Sequence, residues 1–407
     1  MKSLSSISDF FKILNKGEIN FSSLENHYKP FNDTNPKIIT VSKPSLPPLS
    51  EFIPFLENIW SSGFVTNDGP YHKIFEKELC RYLNVKNVSL VSNGTLSLLL
   101  ALKAHNLKGS IITTPYSFIA TTNAIDWNAI RPIFCDVDPL TLNICPDKLE
   151  NLIEKDTTAI LATNVYGYPC DFKSIHSIAN KNNLKVIYDS AHSFAVKEGS
   201  ESILNNGDAS ILSFHGTKVF TTFEGGAIIS KSSSIKKEID MLKNFAIENE
   251  VSVKGKGINA KMNEFQAALG VLQLRYIDKW IEKRKILYEK YFELLSNVEG
   301  IKLHKFPKNI KNNFSYFPIF VNRKSFRMSR DELYLKLKEN NIISRRYFYP
   351  IISEFPLFKS LPSSNKKNLK NAFKISREVI CLPLHTNLTI DEVYKICYII
   401  KKAKALK

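Results

Sequence analysis

Apolar residues at Phe52, Phe55, Leu56, Ile59 and Trp60 follow a helical spacing, which predicts an amphipathic helix behind the proline-rich stretch 44–48. A loop dense in turn residues follows at 62–70, then a second helix with Phe75, Leu79 and Leu83 on one face. From Val88 the pattern changes. Short apolar runs at 88–91, 111–115, 132–137, 158–165, 185–189, 209–212 and 227–229 alternate with helical stretches such as 96–104. Short strands alternating with helices predict a mostly parallel sheet covered on both faces. From Ile235 the pattern is helical. Residues 262–285 read as one long helix, with Phe265, Leu269, Leu272 and Tyr276 on one side. Beyond 298, strands (316–321) mix with amphipathic helices (333–337, 393–400), the pattern of a second, smaller α+β domain. The expected organisation is an N-terminal extension over 1–37, a large α/β domain over 38–280 and a small domain over 281–407. The extension carries one short amphipathic stretch, Phe10, Phe11, Ile13 and Leu14.

Composition changes little. The 407 residues are 43% hydrophobic and 23% charged, ordinary for a globular protein and too long for one core. No apolar run is long enough to span a bilayer, and the first residues lack a signal-peptide core and cleavage site. The six scattered cysteines form no Cys-x-x-Cys pair, so neither a zinc site nor a disulfide framework is expected, and a reducing cytoplasm fits. The net charge of +17 comes from lysines spread along the whole chain, which argues for a lysine-rich composition rather than a nucleic-acid surface. No nucleic-acid or membrane partner is expected. Asp136 and Asp138 close the third strand, but no partner motif makes them a metal site.

Candidate chemistry gathers where strands end. Ser92-Asn93-Gly94-Thr95 between a strand and a helix is a possible phosphate cradle, because free N–H groups at a helix start favour an anion. The alternative is an ordinary helix cap. Phe118 is placed to stack on a flat group, or to serve the core. Asp189 ends a strand where open α/β sheets place ligand-binding groups, and His192 follows it closely. The stretch 213–226 holds one lysine, Lys218, between two apolar strands. An apolar setting lowers a lysine's pKa and frees its amine for attack on a carbonyl. The alternative is a lysine in a surface turn, with Gly225 and Gly226 as hairpin punctuation. Gly94, Thr95, Phe118, Asp189, His192, Ser213 and Lys218 together are the set needed to hold pyridoxal phosphate.

The chain resembles the DegT/DnrJ/StrS family of sugar-nucleotide aminotransferases, of the fold type I aminotransferase architecture. The matching stretches run from Thr66-Asn67-Asp68-Gly69-Pro70 through Ser92-Asn93-Gly94-Thr95, Asp189-Ser190-Ala191-His192 and Glu224-Gly225-Gly226 to Gly257-Ile258-Asn259-Ala260-Lys261-Met262. The resemblance implies that Lys218 forms the Schiff base with the cofactor and moves protons, Asp189 pairs with the ring nitrogen, and His192 lies near the ring oxygen. It implies that Phe118 stacks on the ring and that Gly94, Thr95 and Ser213 hold the phosphate. Asn259 would reach the phosphate from a neighbouring subunit, which implies a homodimer with shared active sites. The implied reaction transfers an amino group from glutamate to a nucleotide-linked keto-deoxy sugar. The stretch around Lys218 is similar to enzymes of dTDP-4-keto-6-deoxy sugars, which implies a 4-amino-4,6-dideoxy product for surface polysaccharide or glycan synthesis. A UDP-linked or 3-keto sugar nucleotide, or a non-catalytic regulatory role, are the alternatives. Three positions depart from the family: Asn164 stands where histidine is frequent, Ser190 where alanine is usual, and Lys261 where arginine is common.

Overall fold

Seven short apolar runs assemble into one sheet in the computed structural model, which describes residues 37–405. The strands are β1 (Val88–Val91), β2 (Ser110–Thr113), β3 (Arg131–Phe134), β4 (Thr157–Thr163), β5 (Lys185–Asp189), β6 (Ala209–Ser213) and β7 (Gly226–Ser230). Their spatial order is β1-β7-β6-β5-β4-β2-β3. β7 runs antiparallel to both its neighbours, and the other pairs are parallel. Side chains alternate between faces, as strand geometry requires. Ile111, Leu161, Ile187, Ile211 and Ile228 enter one core, with Leu98 and Ala101 of the helix Gly94–Ala104. Their neighbours Ile112, Ile160 and Val186 enter a core on the opposite face with Phe172 and Ile175. Leu212, Ala227 and Ile229 meet Phe75 and Leu79 in a third. Nearly every strand residue is therefore buried, which is why these runs read as continuously apolar.

The expected long helix over 262–285 is two helices, Glu264–Gln273 and Ile277–Leu295. At the break, Arg275 N–H bonds Leu272 C=O and Tyr276 N–H bonds Gln273 C=O, tight turns that redirect the chain. Both helices enter the core of Phe75 and Leu79, the first through Ala267 and the second through Ile277, and beyond it they part. Ala268, Leu269 and Leu272 pack on Phe52 and Ile59, whereas Leu287, Tyr291 and Leu295 pack in the C-terminal part of the chain. Glu264 also starts a contact between distant stretches: its carboxylate accepts the N–H groups of Tyr71 (2.7 Å) and His72 (2.8 Å) at the start of the helix Pro70–Leu83. A Cβ on Gly69 would lie 2.6 Å from the Glu264 carboxyl carbon, so this approach needs glycine.

The C-terminal part is built on a three-stranded antiparallel sheet, β8 (Ile301–Leu303), β9 (Phe317–Val321) and β10 (Val379–Leu382), ordered β8-β9-β10. The helices Arg330–Glu339 and Ile390–Ala405 contribute to its core. The short strand Ile39–Thr40 pairs in parallel with Ile342–Ile343, so the first segment of the unit from Ile39 onward is tied to this part. The carboxylate of Asp136 caps the helix Lys370–Glu378, accepting the Asn371 (3.1 Å) and Ala372 (2.9 Å) N–H groups and the Lys148 ammonium (2.7 Å). The amphipathic stretch at Phe10, Phe11, Ile13 and Leu14 lies outside the described residues. Among the described residues, no helix is long and apolar enough to cross a membrane.

Candidate active site

β1, β4, β5 and β6 end on the same edge of the sheet, and their last residues and the turns after them face one cavity of about 260 Å³. The cavity is lined by Gly94, Thr95, Phe118, Asp189, His192, Ser213 and Lys218. These are seven of the eight residues singled out in the sequence. The eighth, Asn259, lies elsewhere: its Oδ1 accepts from the Lys261 ammonium at 2.8 Å, and its backbone pairs with Asn244.

Lys218 sits in the loop 214–225, which joins the antiparallel pair β6 and β7. The loop is thus a hairpin connection, as Gly225 and Gly226 suggest, and it also delivers an amine to the cavity. Gly226 is needed because a Cβ there would lie 2.6 Å from the Asn93 carbonyl oxygen. Burial lowers the Lys218 ammonium from its usual range to about 8, while the negative charge of Asp189 pulls it back up.

Asp189 closes β5 and is 6% exposed. Its Oδ2 accepts the Thr121 hydroxyl at 2.6 Å and its Oδ1 accepts the Ala191 N–H at 3.1 Å. Burial pushes its carboxyl up, and the two hydrogen bonds and the Lys218 charge oppose that shift. His192 is buried and held well below the usual imidazole range by desolvation, with Lys218 adding to the effect. Its Nδ1 accepts the Tyr166 N–H at 3.1 Å, so the neutral ring carries its proton on Nε2. The ring lies parallel to Phe348 (6.0 Å between centroids) and edge-on to Tyr316 (4.8 Å).

The helix Gly94–Ala104 opens at the cavity. Asn93 caps it by accepting the Leu96 N–H at 2.9 Å, so the turn is both a cap and one wall of the cavity. A Cβ on Gly94 would lie 2.8 Å from the Ser213 Cβ, and this closeness brings the serine hydroxyl beside the helix start. Phe118 precedes the helix Ile119–Trp127 and is 59% exposed, so its ring is a wall rather than part of the core.

Sequence reasoning did not single out Thr121, Tyr316, Tyr347 or Phe348. Thr121 lies in the helix Ile119–Trp127, and its bond to Asp189 spans 68 positions, beyond the reach of any local pattern. Tyr316, Tyr347 and Phe348 come from the C-terminal part of the chain and carry no local signal. Among the described residues, no group of His, Cys, Asp and Glu side chains could hold a metal ion.

An amine, a buried carboxylate, a donor-rich helix start and an aromatic wall thus converge. The residues fit pyridoxal phosphate: the Gly94–Ser213 cradle suits a phosphate, the buried Asp189 a cationic ring nitrogen, and the exposed Phe118 a flat ring. Residues 49–401 match the family described as DegT/DnrJ/EryC1/StrS aminotransferases. The chain is 46% identical, over 90% of its length and 100% of the relative's, to the dTDP-4-amino-4,6-dideoxy-D-glucose transaminase of Shigella dysenteriae. Among solved structures it resembles DesI, crystallised in the presence of its TDP-sugar product, with a TM-score of 0.87 and 25% identity over 91% of this chain and 95% of DesI. It also resembles Helicobacter pylori PseC, an aminotransferase involved in the biosynthesis of pseudoaminic acid, with a TM-score of 0.84 and 26% identity over 91% of this chain and 100% of PseC.

Proposed function

The chain belongs to the DegT/DnrJ/EryC1/StrS aminotransferase family, and from that premise we propose that it uses pyridoxal phosphate to aminate dTDP-4-keto-6-deoxyglucose. The product is the 4-amino-4,6-dideoxy sugar nucleotide, and glutamate donates the amino group. The observation that carries this reading is the convergence of Lys218, Asp189, Gly94, Thr95 and Phe118 on one cavity. The similarity to the Shigella dysenteriae transaminase supports the choice of sugar.

Residues 38–280 hold the cofactor, and residues 281–407 contribute Tyr316, Tyr347 and Phe348 to the cavity wall. Bound there, the cofactor supplies an aldehyde for amine exchange and a conjugated ring that accepts electrons. Gly94 and Thr95 would hold its phosphate through backbone N–H groups, with the Ser213 hydroxyl beside them. Asp189 would keep the ring nitrogen protonated through a charge-assisted contact. His192, with its Nδ1 taken by the Tyr166 N–H, would offer Nε2–H to the ring's oxygen. Lys218, with its pKa lowered to about 8, has a neutral fraction near physiological pH and carries the proton removed from and returned to the substrate carbon.

The working unit in this reading is a homodimer in which Asn259 serves the partner's cavity. An exposed apolar patch beside the cavity supports it. Phe223 (43% exposed) and Phe265 (37% exposed) stack at 5.8 Å, and Val65 (59% exposed) is tied to Glu264 by a backbone hydrogen bond. Phe223 adjoins Glu224, which lines the cavity.

The test is spectroscopic. The purified chain, loaded with pyridoxal phosphate, should show the absorbance band of a lysine-bound cofactor. Glutamate should abolish that band, and dTDP-4-keto-6-deoxyglucose should restore it. A band indifferent to glutamate would exclude this donor, and no band at all would remove the cofactor from the reading.

A further inference from the structure

A second cavity, about 240 Å³, adjoins the first and shares Ser117, Phe118, Tyr347 and Phe348 with it. Its other walls include Tyr334, Arg345, Arg346 and Tyr349. The charge around it is unbalanced. Asp331 is shared between two guanidiniums, Arg330 (2.8 Å) and Arg346 (2.7 Å), and Glu354 takes Arg377 (2.7 Å). Arg330, Arg346 and Arg377 all approach the Tyr349 ring, at 4.3, 5.1 and 5.5 Å from its centre. Arg345 is exposed and, among the described residues, has no ion-pair partner. Four guanidiniums thus face two carboxylates, and Arg345 is the one left over.

The anchor of that side chain is rigid. Arg345 N–H donates to Cys381 C=O at 3.2 Å, and Cys381 N–H donates back to Arg345 C=O at 2.7 Å. This pair fastens the backbone of Arg345 to β10. Arg346 is fixed differently: its guanidinium lies 4.6 Å from the centre of the Tyr334 ring while bonded to Asp331. Of two adjacent arginines, one is committed to the protein and one is available to a ligand. A guanidinium with fixed backbone and uncommitted donors is suited to a phosphate oxygen pair.

We propose that Arg345 binds the diphosphate of the nucleotide-linked substrate, with the Arg346–Tyr334 stack as the fixed wall beside it. This rests on the sugar-nucleotide reading above. With cofactor and sugar in the first cavity, the diphosphate and nucleoside must leave it through its open side, and the second cavity shares that rim. They extend past Phe118 and Tyr347 into the neighbouring cavity, where the excess positive charge lies. Exposure keeps the desolvation penalty of Arg345 small, so the unpaired charge is tolerable in the free protein.

The experiment is equilibrium binding of thymidine diphosphate to the cofactor-loaded full chain, its Arg345→Gln variant and its Arg345→Lys variant, with inorganic pyrophosphate as a second probe. Arg345→Gln should weaken both probes roughly tenfold to a hundredfold, with Arg345→Lys recovering part of the loss and the salt dependence becoming shallower. The unfolding temperature should not change, because the side chain is exposed and unpaired. Unaltered binding in Arg345→Gln would overturn the assignment. So would a loss confined to thymidine diphosphate, which would mean contact with the base instead. If the unmutated chain binds neither probe, the sugar-nucleotide reading itself fails and takes this assignment with it.

Discussion

The Asn164 side-chain amide donates to the Ser190 hydroxyl at 2.9 Å, and both residues are fully buried. The bond joins two of the positions where the chain departs from its family resemblance, so the two departures are one local solution. Asn164 follows the end of β4 and Ser190 follows Asp189 at the end of β5. The Asn164 N–H also donates to the Asp189 C=O at 3.0 Å, and its Oδ1 accepts the Cys170 N–H at 2.9 Å. The pair therefore helps to fix the strand end that carries the buried carboxylate.

Ser190→Ala leaves a buried amide donor without its partner and should destabilise the protein by about 1–3 kcal/mol. In a double-mutant cycle with Asn164→Ala, the two losses should be non-additive by about 1 kcal/mol. Denaturant melts of the four proteins measure this, and simple additivity would dissolve the pairing.

Lys218→Ala removes the amine from the cavity and leaves the phosphate cradle intact. Turnover should fall by roughly a thousandfold or more, while pyridoxal phosphate is still retained without a covalent link. Steady-state rates and cofactor content after dialysis check both halves of the statement. On the homodimer proposed above, Asn259→Ala should also be impaired, and mixing the two variants should recover activity, because one site of each hybrid would draw Lys218 from one chain and Asn259 from the other.

Thr121 and Asp189 form a graded pair. Asp189→Asn should lose most turnover, since it cannot hold a cationic ring nitrogen. Thr121→Val deletes the 2.6 Å bond to Asp189 and should cost about tenfold in turnover. The sign of its pH effect follows from the causes of the shift. Burial raises the carboxyl and the Thr121 bond lowers it, so removing the bond lets Asp189 take up a proton at higher pH. The acid limb of the pH–rate profile should move upward in Thr121→Val.

In the cofactor-free protein, Lys218 should destabilise the fold near neutral pH. Its folded pKa is about 8 against an ordinary 10.5. Between those values the unfolded chain binds more protons, so the destabilisation is full below pH 8 and fades as pH rises towards 10.5. Lys218→Met should therefore stabilise the cofactor-free protein at pH 7, by on the order of 1 kcal/mol after solvent screening. That advantage should shrink across this alkaline window, as melts at a series of pH values would record.

Gly94→Ala places a methyl group 2.8 Å from the Ser213 Cβ. The helix start and the serine must then move apart, which should weaken cofactor binding by roughly tenfold or more. Fluorescence titration with pyridoxal phosphate measures it. Wild-type affinity would show that the cradle tolerates the displacement.

Much of this protein was legible from short-range pattern. Continuous apolar runs marked the strands because both faces of the sheet are covered, and the strand ends and the turns after them carry Gly94, Asp189, Ser213 and Lys218, residue types suited to chemistry. Those residues follow strand ends, and strand ends of one parallel sheet share an edge. Only the tertiary structure decided what distance in sequence hides. The helix over 262–285 is broken although its apolar period continues, because tight turns at 272–276 redirect the chain while both halves still reach the core of Phe75 and Leu79, and periodicity does not report such a turn. The bond from Thr121 to Asp189, the pairing of Asn164 with Ser190, and the approach of Tyr316, Tyr347 and Arg345 to the cavities depend on strand order and on how the C-terminal part folds back. Each is a contact between segments whose local patterns would be equally at home elsewhere, so the choice belongs to packing rather than to any one stretch of chain.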